Sequence, residues 1–135
     1  MLQFEVSVTV LAAFGQRHDI NARIISQSTA MEGIRGHQFV QADRPGGYQK
    51  ERSLKYSVKR DEYELLIRGR ADGYYPAGSD GLGGPAKVEE IKTTRLSIED
   101  IPDLLKAQHH RQLALYGYLL CIEEDLDCIG LQLTY

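Results

Sequence analysis

Residues 48–75, which read YQKERSLKYSVKRDEYELLIRGRADGYY, decide the fold of this chain. Residues 48–60 and 62–75 each resemble a β-strand, and Asp61 between them marks a turn. Two strand-like stretches joined by such a short turn predict an antiparallel hairpin. Because Tyr74 and Tyr75 continue the strand pattern, we expect the second strand to extend beyond Asp72 to the proline that follows.

Elements on both sides of the hairpin complete the predicted architecture. Helices are expected at residues 7–15 and 20–41, and Pro45-Gly46-Gly47 separates them from the hairpin. After the hairpin come a glycine-rich loop, a third strand, a long helix and a last strand, at residues 76–86, 87–94, 101–124 and 128–135. After the short first helix, the order is α-β-β-β-α-β, which predicts an α/β fold with a mixed sheet flanked by helices.

The helix expected at residues 20–41 carries its own signals. Asp19 or Asn21 is the expected N-cap. Gly33 and Gly36 lie inside the helix, where each glycine costs about 1 kcal/mol relative to alanine. They therefore either weaken the helix or mark a close approach to another element.

Length and composition exclude several classes of protein. A chain of 135 residues fits one domain, residues 1–135, and its 42% apolar and 26% charged residues are ordinary for a globular protein. No apolar run approaches the roughly 20 residues of a membrane helix, and the N-terminus lacks a secretory pattern. Cys121 and Cys128 are too few for a disulfide framework or an iron–sulfur cluster. We therefore expect a cytoplasmic protein with no membrane partner.

The third strand carries a carboxylate and an ammonium on one face. Glu90 and Lys92 point the same way because side chains two apart in a strand share a face. Pairing of the second and third strands would bring Asp72 beside Glu90. Two adjacent carboxylates repel unless a cation lies between them, and Mg²⁺ and Mn²⁺ prefer such oxygen ligands. The alternatives are an ordinary ion pair on an exposed strand and a simple turn at Asp72-Gly73.

Two further groups are candidates for a site. Gln112 and Tyr116, four residues apart, share one face of the long helix, where an amide and a phenol among apolar neighbours need polar partners. The pair could hold a phosphate or a catalytic side chain, or it could lie on a partly exposed amphipathic helix. His37 suits a manganese ion or a phosphate, although a lone histidine on a helix is more often structural.

Four short motifs follow one another along the chain. They are G-x-x-x-H ending at His37, G-x-x-D ending at Asp72, E-x-K at residues 90–92 and Q-x-x-x-Y at residues 112–116. This set resembles the RecB-like branch of the PD-(D/E)xK nuclease superfamily. The resemblance implies an α-β-β-β-α-β restriction-endonuclease-like core and a deoxyribonuclease that hydrolyses phosphodiester bonds with Mg²⁺ or Mn²⁺. It also implies a role in DNA repair or recombination.

The resemblance assigns a role to each matching residue. Asp72 and Glu90 match the metal-binding carboxylates, with the carbonyl of Ile91 as a further ligand and His37 approaching the metal. A divalent cation would neutralise charge on the phosphate and lower the pKa of the attacking water.

The remaining matches concern the water and the DNA. Lys92 matches the lysine that orients or activates the attacking water, and Gln112 and Tyr116 match the helix motif that supports the site and the DNA. Arg35 and Arg70, close in sequence to His37 and Asp72, are the expected phosphate contacts, and the alternative is that they are solvated surface charges. Arg111 points about 100° away from Gln112 and should matter less.

The resemblance also has limits. Several relatives carry an iron–sulfur cluster held by four cysteines, and we expect no cluster here. Loop 76–86 lacks the ending of a nucleotide P-loop. Related nuclease modules are often fused to helicases, and the EGIRGHQ segment at residues 32–38 resembles the module of DinG-type helicases. The open alternatives are a non-catalytic DNA-binding module with a relic site and a metal-dependent hydrolase of a non-nucleic phosphoester.

Overall fold

The computed structural model describes residues 1–14, 29–79 and 81–135. Its elements in chain order are β1 (Leu2–Ser7), α1 (Val8–Ala13), α2 (Ala30–Ala42), β2 (Gln49–Lys59), β3 (Tyr63–Tyr75), β4 (Lys87–Ile91), a 3₁₀ turn (Ile98–Asp100), α3 (Asp103–Glu123) and β5 (Gly130–Thr134). As predicted, the fold is α/β, with a mixed sheet flanked by helices. From α2 onward, and apart from the 3₁₀ turn, the described elements run helix, three strands, helix, strand.

Strand β3 is the centre of the sheet. β2 runs antiparallel to it along almost its whole length. At its other edge β3 has two neighbours in succession: β1, parallel to residues 63–68, and β4, antiparallel to residues 73–75. β5 then adds in parallel to β4. Residues 69–72 therefore lie where β3 passes from one neighbouring strand to the next, and Asp72 is the last of them.

The structure confirms the predicted hairpin and the predicted β4, α3 and β5, and each of these elements is slightly shorter than predicted. The turn between β2 and β3 is closed by a 2.9 Å hydrogen bond from the Arg60 amide to the Tyr63 carbonyl, around the predicted Asp61. β4 ends at Ile91 instead of residue 94, because the chain then leaves the sheet toward the 3₁₀ turn. The Lys92 amide still donates to the Thr134 carbonyl at 2.8 Å, so Lys92 is held against β5.

The N-terminal part of the prediction needs correction. Residues 2–7 form β1, which was not predicted, because its parallel pairing depends on β3, some sixty residues further along the chain. Ser7 caps α1, the helix predicted from residue 7, since its hydroxyl accepts a hydrogen bond from the Val10 amide at 3.1 Å. The expected caps Asp19 and Asn21 lie outside the described residues, as does the first part of the helix predicted at residues 20–41.

The described helix α2 begins instead with a capping box at Thr29. The Thr29 hydroxyl accepts from the Glu32 amide at 3.2 Å, and the Glu32 carboxylate accepts from the Thr29 amide at 3.0 Å. Arg95, from the segment after β4, donates to the same carboxylate through Nε at 3.0 Å. The start of α2 is thus fixed by local hydrogen bonds and by one long-range ion pair.

The core lies between the sheet and α3. Its buried residues come from α1, from the three strands β2 to β4 with the loop before β4, and from α3: Val8, Leu54, Ala71, Tyr74, Ala86, Val88, Leu113, Tyr116, Leu119 and Leu120. Arg111 fastens α1 to α3, because its Nε donates to the Ala12 carbonyl at 2.9 Å. None of the described helices is long and apolar enough to cross a membrane.

The two glycines of α2 differ in their surroundings, and this difference gives a prediction. A Cβ on Gly36 would lie 2.2 Å from Oγ1 of Thr93, whereas a Cβ on Gly33 would meet no described atom within 4 Å. We expect Gly36→Ala to lower the free energy of unfolding by about 1–3 kcal/mol through overpacking. Gly33→Ala should raise it by up to about 1 kcal/mol through helix propensity. Urea titrations measure both, and a Gly36→Ala protein as stable as wild type would show that α2 does not pack closely here.

Candidate functional site

Asp72 lies where the side-chain alternation of β3 shifts by one residue. Gly69 faces α3, since a Cβ there would lie 2.6 Å from the Tyr116 ring. Tyr74, five residues further on, also lies on the α3 side, near the carboxyl end of that helix. Regular alternation would place the two on opposite faces. The register pairs Lys50 with Gly73 and Arg52 with Ala71 but leaves Glu51 and Asp72 between them unpaired, and Glu51 has a φ of 52°, which is uncommon for a residue with a side chain. The hairpin is thus irregular at a predicted metal ligand.

The carboxylate and backbone of Asp72 are held by groups from α2 and β4. Oδ2 accepts a hydrogen bond from the Ile91 amide at 2.7 Å, and Oδ1 lies 3.3 Å from Nδ1 of His37. The Asp72 carbonyl accepts from Nε2 of Gln41 at 2.9 Å. Burial raises the pKa of Asp72, and the hydrogen bond from the Ile91 amide and the nearby Lys92 ammonium act against this rise.

Glu90 is the more buried of the two carboxyl groups. Gly73 pairs with Glu89, so Asp72 lies across from Glu90, as predicted. Oε1 of Glu90 is 2.8 Å from Nζ of Lys92, while Oε2 is buried with no hydrogen-bond partner among the described residues. Burial raises the pKa of Glu90 to about 7; the Lys92 ammonium opposes this rise and the Asp72 carboxylate adds to it. A buried oxygen without a partner is unfavourable in the isolated chain and is suited to a cation.

Lys92 is oriented by α3 as well as by Glu90. Its Nζ lies 2.8 Å from Oε1 of Gln112, and the Gln112 amide nitrogen lies 3.3 Å from Oγ1 of Thr9 and 3.4 Å from the Tyr116 hydroxyl. Gln112 is 6% exposed and Tyr116 is 3% exposed. The alternative of a partly exposed amphipathic face for this pair is therefore wrong. The helix presents a buried polar network whose function here is to fix the lysine.

The predicted site residues are thus brought together from four elements or their ends. The converging residues are His37, Asp72, Glu90, Ile91, Lys92, Gln112 and Tyr116. The two arginines expected to bind phosphate, Arg35 and Arg70, are exposed at the surface. The Tyr116 hydroxyl contacts the backbone of Arg70, which places that arginine next to the network. Arg111 is turned toward α1, where its Nε donates to the Ala12 carbonyl.

His109 borders the site on the side of β5. With Lys92, Leu105 and Tyr135, it lines a small cavity of about 100 Å³. Its Nδ1 lies 2.9 Å from the Tyr135 hydroxyl. Burial lowers the pKa of His109 to about 4, so the ring is neutral at pH 7. A neutral imidazole beside Lys92 does not compete with that ammonium for the carboxylates.

Two contributors to the site, Gln41 and Thr9, and one buried carboxylate behind it, Glu89, were missed in the sequence. Gln41 could have been found, because it lies four residues after His37 and therefore on the same face of α2. Thr9 gave no signal, since only the packing of α1 against α3 brings it to Gln112. Glu89 gave a misleading one: it neighbours Glu90 in a charged run, yet it is fully buried on the other face of the sheet.

The residues at Asp72 and Glu90 fit a divalent cation by their chemistry. In residues 1–14, 29–79 and 81–135 no group of three or more His, Cys, Asp and Glu side chains is arranged to hold a metal ion. Two carboxylates completed by a carbonyl and water form a smaller donor set, and Mg²⁺ usually keeps several waters. The unpartnered Oε2 of Glu90 and the repulsion between the two carboxylates are what a cation would relieve.

Comparison with known proteins supports the fold. No family model and no curated protein matches the sequence. Among solved structures, the chain is similar to one described as "Crystal structure of SSO0001", with 21% sequence identity and a TM-score of 0.59. The match covers 86% of this chain and 56% of that one, so this chain spans little more than half the length of its structural neighbour. At this identity the likeness shows a shared α/β fold.

Proposed function

We propose that this chain is a divalent-metal-dependent deoxyribonuclease domain of the RecB-like PD-(D/E)xK type, acting in DNA repair or recombination. DNA is its proposed substrate, and a helicase domain or subunit of the DinG type is its proposed partner. The observation that carries the proposal is the pair of neighbouring carboxyl groups of Asp72 and Glu90 at adjacent strands, with Lys92 at 2.8 Å from Glu90 and with Oε2 of Glu90 buried without a donor among the described residues.

The arrangement suits hydrolysis of a phosphodiester. Asp72, Glu90 and the carbonyl of Ile91 would hold Mg²⁺ or Mn²⁺, which supplies neutralisation of phosphate charge and a more acidic water. His37, at 3.3 Å from Asp72, limits the rotation of that carboxylate. Lys92 brings a positive charge to the position of the attacking water, and its contact with α3 holds it there without reorganisation.

A cleavage assay tests the proposal. End-labelled single-stranded, blunt and flapped DNA is incubated with wild type, Asp72→Asn or Asp61→Asn, in Mg²⁺, Mn²⁺ or EDTA. We expect metal-dependent cleavage that Asp72→Asn lowers by about 10²-fold or more. Asp61→Asn, in the turn at the far end of the hairpin, should match wild type.

Other results of this assay favour other functions. DNA binding without cleavage in any metal favours the non-catalytic DNA-binding module. If DNA is neither bound nor cut, a second incubation with a small phosphoester follows, and its hydrolysis would identify the chain as a hydrolase of a non-nucleic phosphoester.

Arg70 gives a separate prediction about the grip on DNA. Its side chain is exposed, and its backbone contacts the Tyr116 hydroxyl. A side chain that binds a DNA phosphate releases a counterion, which makes the affinity depend on salt. Arg70→Ala should weaken binding on all sequences and lower the slope of log affinity against log salt by roughly one. Arg60→Ala, exposed next to the distant β2–β3 turn, should leave the slope unchanged. Equal slopes for wild type and Arg70→Ala would show that Arg70 makes no phosphate contact.

A further inference from the structure

The carboxylate of Glu89, on the sheet face opposite to the candidate site, is fully buried and surrounded by donors. Arg44 contacts both of its oxygens, through Nε at 3.1 Å and through Nη2. The Tyr48 hydroxyl donates to Oε1 at 2.8 Å, and Gln132 and Thr134 each donate to Oε2 at 2.6 Å. We call these five residues the Glu89 cluster. Burying a charge is costly, and an apolar group of the same shape often stabilises a fold as well, so stability alone does not explain this cluster.

Two of the donors to Glu89, Arg44 and Tyr48, lie in the segment that joins α2 to β2, and α2 also contacts Asp72. Arg44 lies just after α2, and Tyr48 lies just before β2. The last turn of α2 carries Gln41, which donates to the Asp72 carbonyl at 2.9 Å. One turn earlier, His37 lies 3.3 Å from the Asp72 carboxylate. The ion pair to Glu89 therefore anchors the end of the helix whose side chains hold Asp72.

Tyr48 also packs directly on β3. A Cβ on Gly73 would lie only 1.7 Å from the Tyr48 hydroxyl, so a glycine is needed where the ring crosses the strand. The same hydroxyl is 3.5 Å from the Asp72 carbonyl. In contrast, the Thr134 side chain reaches Glu89 from β5 and has no contact of this kind with the Asp72 backbone. The cluster thus has an α2 side, whose segment contacts Asp72 through side chains, and a β5 side, whose side chains do not contact Asp72.

We infer that Glu89, through Arg44 and Tyr48, positions His37 and Gln41 against Asp72. Arg44 and Tyr48 are positioning residues for the candidate site, since they act on Asp72 from behind the sheet and do not meet substrate. The consequence for metal binding rests on the proposed function, whereas the placement of His37 does not.

A matched pair of variants tests this inference. Tyr48→Phe and Thr134→Val each remove one hydroxyl donor to Glu89, from the α2 side and from the β5 side. We expect Tyr48→Phe to shift the NMR signals of the His37 ring in metal-free protein, and Thr134→Val to leave them in place. Direct Mn²⁺ titration should show an affinity about tenfold lower for Tyr48→Phe, which is the usual effect of losing an outer-shell partner of a metal ligand. The affinity of Thr134→Val should stay within about twofold of wild type. Arg44→Lys, which loses the two-pronged contact, should act like Tyr48→Phe.

The outcomes separate the two proposals. The inference would be overturned if the His37 signals stay in place in both Tyr48→Phe and Arg44→Lys. It would also be overturned if Thr134→Val shifts them as much as Tyr48→Phe does. In either case the Glu89 cluster stabilises the fold and does not position His37. If the His37 signals differ as expected while wild type neither binds Mn²⁺ nor cleaves DNA, the positioning stands and the proposed nuclease function is overturned.

Discussion

Lys92→Ala is expected to lower metal-dependent cleavage of DNA by about 10²–10³-fold while the chain stays folded. The Lys92 ammonium lies 2.8 Å from Glu90 and 2.8 Å from Gln112, and the side chain is 24% exposed, so it is fixed yet reaches solvent at the site. Its backbone amide keeps its bond to Thr134 in the variant, which preserves the pairing of β4 with β5. Single-turnover cleavage and circular dichroism measure the two effects.

Lys92→Ala could slow cleavage in two ways, by removing the charge beside the attacking water or by raising the pKa of Glu90. Measurements at several pH values and a control variant separate these two effects. Without the ammonium, nothing of equal strength opposes the raised pKa of Glu90, and metal binding then needs a higher pH. The rate loss should therefore persist as the pH is raised, whereas a loss caused only by protonation of Glu90 would shrink. Lys87→Ala, which removes an ammonium that lies 4.5 Å from the centre of the Tyr75 ring, should cleave like wild type. Cleavage by Lys92→Ala at the wild-type rate would show that another group acts on the water.

The parts of the fold that the sequence predicted are those determined by local pattern. The hairpin follows from two alternating stretches and a turn residue, and its pairing with β4 brings Asp72 across from Glu90. β1 was not predicted because it is short and its parallel partner, β3, lies some sixty residues further along the chain, so no local pattern indicates the pairing. The shift of alternation at Asp72 was equally hidden, since nothing in the residue type of Glu51 indicates a φ of 52°.

The candidate site divides in the same way. Lys92 and Glu90 share a face because of strand periodicity, and Gln112 and Tyr116 share one because of helix periodicity. Those two rules place each pair, but the docking of α3 on β4 is what joins Lys92 to Gln112 at 2.8 Å. Glu89 illustrates the limit, because its burial depends on Arg44 arriving from the end of α2.

Glu90→Gln is expected to abolish metal-dependent cleavage and to stabilise the metal-free protein above neutral pH. The ordinary pKa of this carboxyl is 4.5, and burial raises it to about 7 in the folded chain. Between these values the folded protein binds more protons than the unfolded chain, so the free energy of unfolding falls as the pH rises. The stabilising contribution is complete below pH 4.5 and is lost as the pH passes 7; its size is roughly 3 kcal/mol. Glutamine mimics the protonated acid and keeps that contribution.

The difference between the unfolding curves of wild type and Glu90→Gln isolates this effect. Burial lowers the pKa of His109 to about 4, which makes both proteins gain stability as the pH rises toward 6.5, and the subtraction removes that shared contribution.

In EDTA the two proteins should be similar at pH 5, and Glu90→Gln should be the more stable at pH 8. Mn²⁺ at about 1,000 times its Kd should reverse the order at pH 8, because it adds about 4.1 kcal/mol to the protein that binds it, more than the difference that Glu90 causes. A Glu90→Gln protein that is less stable than wild type at pH 8 in EDTA would mean that Lys92 outweighs the burial of Glu90. Equal stabilisation of both proteins by Mn²⁺ would place the cation elsewhere.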